Sequence, residues 1–306
     1  MEFRTLTTRV AQTLGSEGAP APSSSAGGAA LSNALKAERA GGAKPSETRT
    51  ATAAANGVPG ESFEPLIPAA KPFDLNAYET ITEPYRLAEW VSKAKAQGYV
   101  AIDTETDGLN PVSAKLVGIS LALAPGEACY IPIGHGAGKQ DLLSEKPKQI
   151  EIEKVITLIK PLLEDPAVLK IGQNIKYDIS MFCALDIRMA PIDDTMLLSF
   201  VLEAGQHNHG MDELSELHLG HKPIAFKDVA GTGKSQVTFD QVPLDKATQY
   251  AAEDADVTLR LWERLKPRLS RDKVATIYET QDRPLIPVVA DMERAGILVD
   301  RAQLSK

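Results

Sequence analysis

The chain has 306 residues, of which 43% are hydrophobic, so it can bury a core in one large domain or two small ones. Its formal charge of −8 excludes a protein that attracts nucleic acid through a general basic field, and any such contact must be local. The two cysteines, Cys129 and Cys183, lack CxxC spacing, which argues against a disulfide framework and a zinc site. Neither an apolar run of about 18 residues nor a secretory leader is found, so we expect a soluble, cytoplasmic protein.

The first part of the chain has the composition of a flexible segment. Between residues 11 and 60, 32 of 50 positions are Ala, Gly, Ser or Pro. Such a stretch has too few apolar side chains to offset the entropy cost of ordering. We therefore expect residues 1–64 to be a disordered linker, with an ordered domain beginning near residue 65.

Strands and helices alternate in the rest of the sequence. Residues 99–104, 115–124 and 128–133 are β-rich runs between turn residues, which predicts an antiparallel meander. A short strand is predicted at 169–172. Helices are predicted at 150–163, at 175–185, from Asp193 or Asp194 to residue 202, at 211–219 and at 244–265. This order predicts an α/β domain with a mixed sheet of about five strands flanked by helices.

The first chemical motif is Asp103-Thr104-Glu105, directly after a predicted buried strand. Residues two apart on a strand project to one face, so Asp103 and Glu105 place two carboxylates side by side. Two such charges raise each other's pKa unless a divalent cation lets both stay ionised. The alternative is that both are solvated loop acids.

Two further motifs follow along the chain. In the segment 172–178, Asn174 and Asp178 are four residues apart, which predicts a shared helical face at the end of a strand. In the segment 250–256, Tyr250 and Asp254 again share a helical face. Their neighbours Glu253 and Asp256 are expected to point elsewhere, into solvent.

Together these motifs resemble the three exonuclease motifs of the DnaQ-like, or DEDD, superfamily in its tyrosine-bearing branch. The likeness is greatest to the proofreading domain of bacterial family A polymerases. It spans residues 85–300 and includes IGQNIKYD, DDTML at 193–197 and YAAEDADVTL. The resemblance implies a ribonuclease H-like fold and a 3′-5′ exonuclease that removes nucleotides from single-stranded or frayed DNA 3′ ends.

The resemblance also implies a role for each matching residue. Asp103, Glu105 and Asp254 would hold one Mg²⁺ or Mn²⁺ ion, and Asp103 with Asp178 would hold a second. Tyr250 would help Glu105 to orient the attacking water. Leu109 would contact the substrate as a wedge beside the terminal base; the alternative is that it is a core residue. The substrate groove would be lined by Thr104, Gln173, Asn174 and Tyr177.

The last residues resemble the start of the polymerase part of such enzymes. The likeness covers residues 281–300, so we expect an exonuclease domain at 65–270 and the start of a polymerase domain at 271–306. The acids of a polymerase site are absent from the sequence. We therefore interpret the chain as the editing part of a polymerase, with the missing polymerase portion as a partner. A stand-alone exonuclease is the alternative.

Two other patterns are weaker. The run 231–235 ends like a phosphate-binding loop, but Asp228 stands where the pattern requires glycine. His207, His209, His218 and His221 invite a zinc interpretation, which we do not adopt because no acidic or cysteine partner has suitable spacing. Two other functions remain open: an exoribonuclease of the RNase D kind, and a non-catalytic spacer domain.

Overall fold

A computed structural model describes residues 71–136 and 147–305. The predicted linker, residues 1–64, lies outside the described residues. Within them, no helix is both long and apolar enough to cross a membrane.

A six-stranded mixed sheet forms the centre of the fold, in the order β1-β4-β3-β2-β5-β6. The predicted meander β2-β3-β4 is antiparallel, whereas β5 pairs in parallel with both β2 and β6, and β1 pairs in parallel with β4. The mixed sheet is thus confirmed, with two short edge strands, β1 and β6, added. The strands are β1 Glu79–Thr80, β2 Tyr99–Thr106, β3 Leu116–Ala124, β4 Glu127–Pro132, β5 Leu169–Gly172 and β6 Ile192–Asp194.

Helices flank the sheet, and further helices come after β6 up to the end of the described residues. A π-helical turn, Tyr278–Asp282, separates α9 from α10, and short 3₁₀ turns lie at Leu75–Ala77, Gly233–Ser235 and Phe239–Gln241. The helices are α1 Pro84–Gln97, α2 Ile152–Leu163, α3 Lys176–Cys183, α4 Thr195–Glu203, α5 Met211–Leu219, α6 Phe226–Ala230, α7 Leu244–Leu265, α8 Arg268–Arg271, α9 Ala275–Ile277, α10 Arg283–Ala295 and α11 Arg301–Leu304.

The two faces of the sheet are covered differently. On one face, large side chains of β2 to β4 pack against α1, α2, α3 and α10 in a single apolar core. On the other face, α7 packs on small side chains, because Ala101 and Ala122 meet Ala252 and Ala255 of the helix. Alanine on both sides lets a helix backbone come close to a sheet. Helix α7 therefore lies tight against β2.

The run 231–235 does not have the structure of a phosphate-binding loop. It follows the five-residue helix α6, with Gly231 at a φ of 79°, where such a loop requires a preceding strand. The phosphate-loop interpretation is therefore excluded.

Candidate active site

Three of the predicted carboxylates meet between β2 and α7. Asp103 and Glu105 alternate with their neighbours along β2 and project to the same face as Ala101, the face that α7 covers. The close approach of α7 brings Asp254 beside them. One carboxylate oxygen from each of the three residues lies within 4.8 Å of the other two. Glu105 and Asp254 are buried and Asp103 is half-buried.

The fourth carboxylate, Asp178, comes from the first turn of α3. It is buried, and its Oδ1 accepts a hydrogen bond of 2.5 Å from the hydroxyl of Thr104. Thr104 is itself buried and lies between Asp103 and Glu105 in the strand. The structure therefore places Thr104 as a support for Asp178, with its hydroxyl directed at that carboxylate.

The four carboxyl groups resist ionisation in the metal-free protein. Burial raises the pKa of Asp103 to about 7. Burial is also the largest cause of the raised pKa of Glu105, Asp178 and Asp254, and the negative charge of Asp103 is the next. A nearby cation would lower these pKa values, because it stabilises the ionised carboxylates.

An unpaired oxygen shows that this group of acids fits a bound cation. Oε1 of Glu105 is buried and has no hydrogen-bond partner among the residues that the structure describes. Buried polar atoms are rarely left in this state, and an unseen ion is one of the standard explanations. Carboxylate oxygens are the ligands that Mg²⁺ and Mn²⁺ prefer. The donor set therefore fits a divalent cation bound by oxygen.

Tyr250 lies one turn before Asp254 on α7. Its ring packs against the rings of Phe226 and Phe239, at centroid distances of 6.1 and 5.8 Å. Burial, followed by the charge of Asp254, raises the pKa of Tyr250, so the phenol keeps its proton. The packing holds a neutral hydroxyl next to the carboxylate group.

The loop after β2 is fixed by Tyr177. The carbonyl of Gly108 accepts hydrogen bonds from the hydroxyls of Tyr177, at 2.7 Å, and Thr106, at 2.8 Å. The next residue, Leu109, is 97% exposed, which excludes the alternative that it is a core residue. Tyr177 therefore holds the loop that presents Leu109 to solvent.

The prediction that Asn174 shares a helical face with Asp178 is wrong. Helix α3 begins at Lys176, and Asn174 precedes it with a φ of 54°, in the left-handed region. Asp194 explains this turn, because its two carboxylate oxygens accept hydrogen bonds of 3.0 Å from the amides of Asn174 and Ile175. Asn174 is exposed.

Gln173 is also engaged within the protein. Its Nε2 donates to the carbonyl of His209 at 2.8 Å, and its Oε1 accepts from the hydroxyl of Thr195 at 2.5 Å. The side chain thus links the turn before α3 to the start of α4 and to the loop before α5.

The prediction that Glu253 and Asp256 are solvated is also wrong, because α7 is covered on several sides. Asp256 is fully buried and bonds to Arg260 at 2.8 Å and to the hydroxyl of Tyr78 at 2.8 Å. Glu253 is buried and pairs with His221 at 2.8 Å. The pairing of Asp256 with Arg260 had one signal in the sequence, the i,i+4 spacing of the two residues.

A mixed α/β sheet with four carboxylates gathered at its central strand is the arrangement expected of ribonuclease H-like exonucleases. Residues 78–270 match a protein-family model described as 3′-5′ exonuclease. The chain therefore belongs to this 3′-5′ exonuclease family, and the predicted resemblance to the exonuclease domain of family A polymerases is confirmed. Members of the family depend on metal ions.

Relatives of known sequence and structure agree with this assignment. DNA polymerase I of Rhizobium leguminosarum is 50% identical over 249 residues, which cover 78% of this chain and 24% of the relative. The chain spans about a quarter of the length of the curated relatives it matches.

Two solved structures share the fold. The first is the POL domain of Pol1 from M. smegmatis in complex with DNA primer-template and dNTP. It has a TM-score of 0.55 at 19% identity, over 74% of this chain and 34% of that one. RNase D of Escherichia coli, an exoribonuclease, has a TM-score of 0.51 at 18% identity, over 72% of this chain and 51% of that one.

Proposed function

We propose that the chain removes nucleotides one at a time from DNA 3′ ends by phosphodiester hydrolysis with two divalent metal ions. The observation that carries this proposal is that carboxylate oxygens of Asp103, Glu105 and Asp254 lie within 4.8 Å of one another, with the Asp178 carboxylate hydrogen-bonded to Thr104, which lies between Asp103 and Glu105 in the strand. An unpaired buried oxygen on Glu105 supports it, because a cation is the simplest partner for that atom.

The carboxylates divide into two ligand groups. Asp103, Glu105 and Asp254 would hold one Mg²⁺ or Mn²⁺ ion, and Asp103 with Asp178 would hold the other. When bound, such ions lower the pKa of an attacking water and neutralise charge on the scissile phosphate. Thr104 keeps the Asp178 carboxylate in place through its hydrogen bond of 2.5 Å.

The remaining side chains position water and substrate. The neutral hydroxyl of Tyr250, together with Glu105, would orient the attacking water for in-line displacement. Leu109 would insert beside the terminal base, since its side chain is exposed on a loop that Tyr177 fixes. Gln173 and Asn174 would border the groove for the frayed strand.

DNA is the proposed substrate because the sequence relatives include DNA polymerase I of Rhizobium leguminosarum and of Pseudomonas aeruginosa, at 50% and 40% identity. We infer an exonuclease domain at residues 65–270 and the start of a polymerase domain at 271–306, with the polymerase portion as partner. Helix α10 of this last segment contributes Ile286 and Ala290 to the core that also holds α3. Through this packing, a polymerase portion would be connected to α3, the helix that carries Asp178.

RNA is the alternative substrate, because RNase D shares the fold. The test compares 5′-labelled DNA and RNA oligonucleotides of one sequence, each with Mg²⁺, with Mn²⁺ and with EDTA. We expect DNA to be shortened faster than RNA, and only with metal. Faster decay of RNA would replace the proposal with an exoribonuclease, and no decay of either would support a non-catalytic spacer domain. Asp254→Asn is the control for contaminating nucleases.

A further inference from the structure

Four of the five histidines of the chain lie between residues 207 and 221, away from the carboxylate site. We expected no acidic partner of suitable spacing for them, and that prediction is wrong. Glu203, at the end of α4, lies four residues before His207, and folding brings His218 from the last turn of α5 to the same carboxylate. The spacing of Glu203 and His207 is visible in the sequence, whereas the contact of Glu203 with His218 depends on how the α4–α5 turn folds.

The three side chains have the geometry of metal ligands. Oε2 of Glu203 lies 2.8 Å from Nε2 of His207 and 3.2 Å from Nε2 of His218. Ligand atoms about 2.0–2.1 Å from a tetrahedral zinc ion are about 3.3 Å apart. A small rotation of the side chains would therefore make room for an ion at their centre.

An unpaired nitrogen points into this cluster. The side chain of His218 is nine-tenths buried, and its Nε2 makes no aligned hydrogen bond with any described residue. A buried polar nitrogen without an aligned partner is rare in proteins. A metal ion bound at this position would supply that partner.

The atoms of the cluster that face away from its centre are held by outer partners. Nδ1 of His207 lies 2.5 Å from the carbonyl of Asn208, so Nδ1 is the donor on the outer side and Nε2 faces Glu203. Oε1 of Glu203 pairs with Arg268 at 2.7 Å. Histidine and carboxylate ligands of metals are usually oriented by outer partners of this kind.

One side of the cluster is open. A cavity of about 480 Å³ adjoins the three side chains and is also lined by Gln206, Glu213, Leu217 and Arg268. The open side leaves room for water or for Glu213 as a fourth ligand. Two histidines, one carboxylate and one free position form a known zinc ligand set.

We propose that Glu203, His207 and His218 bind one transition-metal ion of the Zn²⁺ type, separate from the ions of the carboxylate site. Imidazole nitrogen favours Zn²⁺, Co²⁺ and Ni²⁺ over the hard cation Mg²⁺. The bound ion would clamp the turn between α4 and α5. That turn carries His209, whose carbonyl accepts the hydrogen bond from Gln173, so the clamp would also support the edge of the carboxylate site.

The test uses the untagged chain with Asp103→Asn and Asp254→Asn, so that the carboxylate site is disabled. Co²⁺ is added as a spectroscopic substitute for Zn²⁺, with Mg²⁺ in excess. We expect one equivalent to bind, with the visible absorption of a four-coordinate site, and to be displaced by one equivalent of Zn²⁺. Zn²⁺ should also raise the Tm of this chain. The absence of tight Co²⁺ binding would overturn the proposal, whatever the outcome of the exonuclease assay.

Three further substitutions in the same background assign the ligands. His218→Gln should weaken Co²⁺ binding by more than about 100-fold, beyond the loss caused by an outer partner. His207→Gln, on the exposed turn, should do the same if the His218 variant does not fold, with folding checked by circular dichroism. His209→Gln is the matched control and should bind normally. Equal binding by folded His207→Gln and His209→Gln chains would refute this ligand set.

Discussion

The hydroxyl of Tyr250 lies next to Asp254, and aromatic packing holds the tyrosine ring in this position. The rings of Phe226 and Phe239 fix the orientation of the tyrosine ring, and burial keeps the phenol protonated. Its role in the proposed mechanism is to hold one water molecule. Removing only the oxygen therefore separates this role from the packing.

Tyr250→Phe should slow the chemical step by roughly 10²- to 10³-fold, the usual loss when one positioned hydrogen-bonding group is removed. The ring contacts remain, so metal affinity and Tm should stay close to wild type. Single-turnover release from a labelled DNA 3′ end is the measurement. Tyr85→Phe is the matched control, because Tyr85 is 63% exposed. An unchanged rate in Tyr250→Phe would remove this residue from the mechanism.

The raised pKa of Asp103 predicts how the metal-free protein responds to pH. An aspartate pKa near 3.8 in the unfolded chain rises to about 7 in the folded one, so the folded state binds its proton more tightly. The stability that this tighter proton binding by Asp103 contributes is fully present below about pH 4 and is lost as pH rises towards 7. Bound Mg²⁺ should remove this loss, because the carboxylates then stay ionised.

The measurement is the increase in Tm when Mg²⁺ replaces EDTA, taken at pH 5 and at pH 8. We expect the larger increase at pH 8, and a smaller pH dependence in Asp103→Asn. An equal increase at both pH values would show that the carboxylates are not crowded in the folded chain.

At the scale of elements, β3 passes over a buried tyrosine at Gly118. A methyl group at this position would lie 2.1 Å from the hydroxyl oxygen of Tyr130. Tyr130 is fully buried and its hydroxyl pairs with His135 at 2.7 Å, so the ring has little freedom to move. The glycine is therefore required by the close approach of side chain and backbone.

Gly118→Ala should lower the free energy of unfolding by about 1–3 kcal/mol, the usual cost of overpacking a core. Denaturant unfolding followed by circular dichroism measures it. Gly210→Ala is the matched control, because nothing lies within 4 Å of a Cβ at that position. If both variants unfold at the same denaturant concentration, β3 is less tightly packed against Tyr130 than the structure shows.

Elements with clear end signals were predictable from the sequence. Helix α5, flanked by Gly210 and Gly220, and helix α7, preceded by Pro243, have the predicted bounds. Strands β1 and β6 have only two and three residues, too few for an alternating pattern, and owe their strand structure to their neighbours in the sheet. Helix α1 was missed despite a proline at its start and Gly98 at its end.

The site was predictable as far as local spacing determines it. Alternation along β2 placed Asp103 and Glu105 together, and helical spacing placed Tyr250 near Asp254. The error at Asn174 arose because its turn is set by Asp194, which is distant in sequence. The burial of Asp256 likewise depends on Tyr78, 178 residues earlier, which no local pattern reveals.

For the whole molecule, the proposed wedge at Leu109 predicts a preference for frayed ends. A 3′ end would enter the site only after its last bases leave the duplex. Each additional melted pair costs on the order of 1.4 kcal/mol, which corresponds to about a tenfold lower rate. The rate of nucleotide release should therefore fall from single-stranded to mismatched to fully paired DNA. The comparison uses one sequence at fixed salt, since binding is salt-dependent. Equal rates on all three would contradict the fraying step.

Hydrolysis from the 3′ end by the carboxylate site is the central proposal for this chain. The direct measurement is the product pattern from 5′-labelled single-stranded DNA with Mg²⁺, for the wild-type chain and for Asp254→Ala. We predict a ladder of labelled products that shorten one nucleotide at a time. It should be absent with EDTA and reduced by more than about 10³-fold in the variant, beyond the loss of a single hydrogen-bond donor. A folded Asp254→Ala chain that produces the same ladder at the wild-type rate would contradict the account.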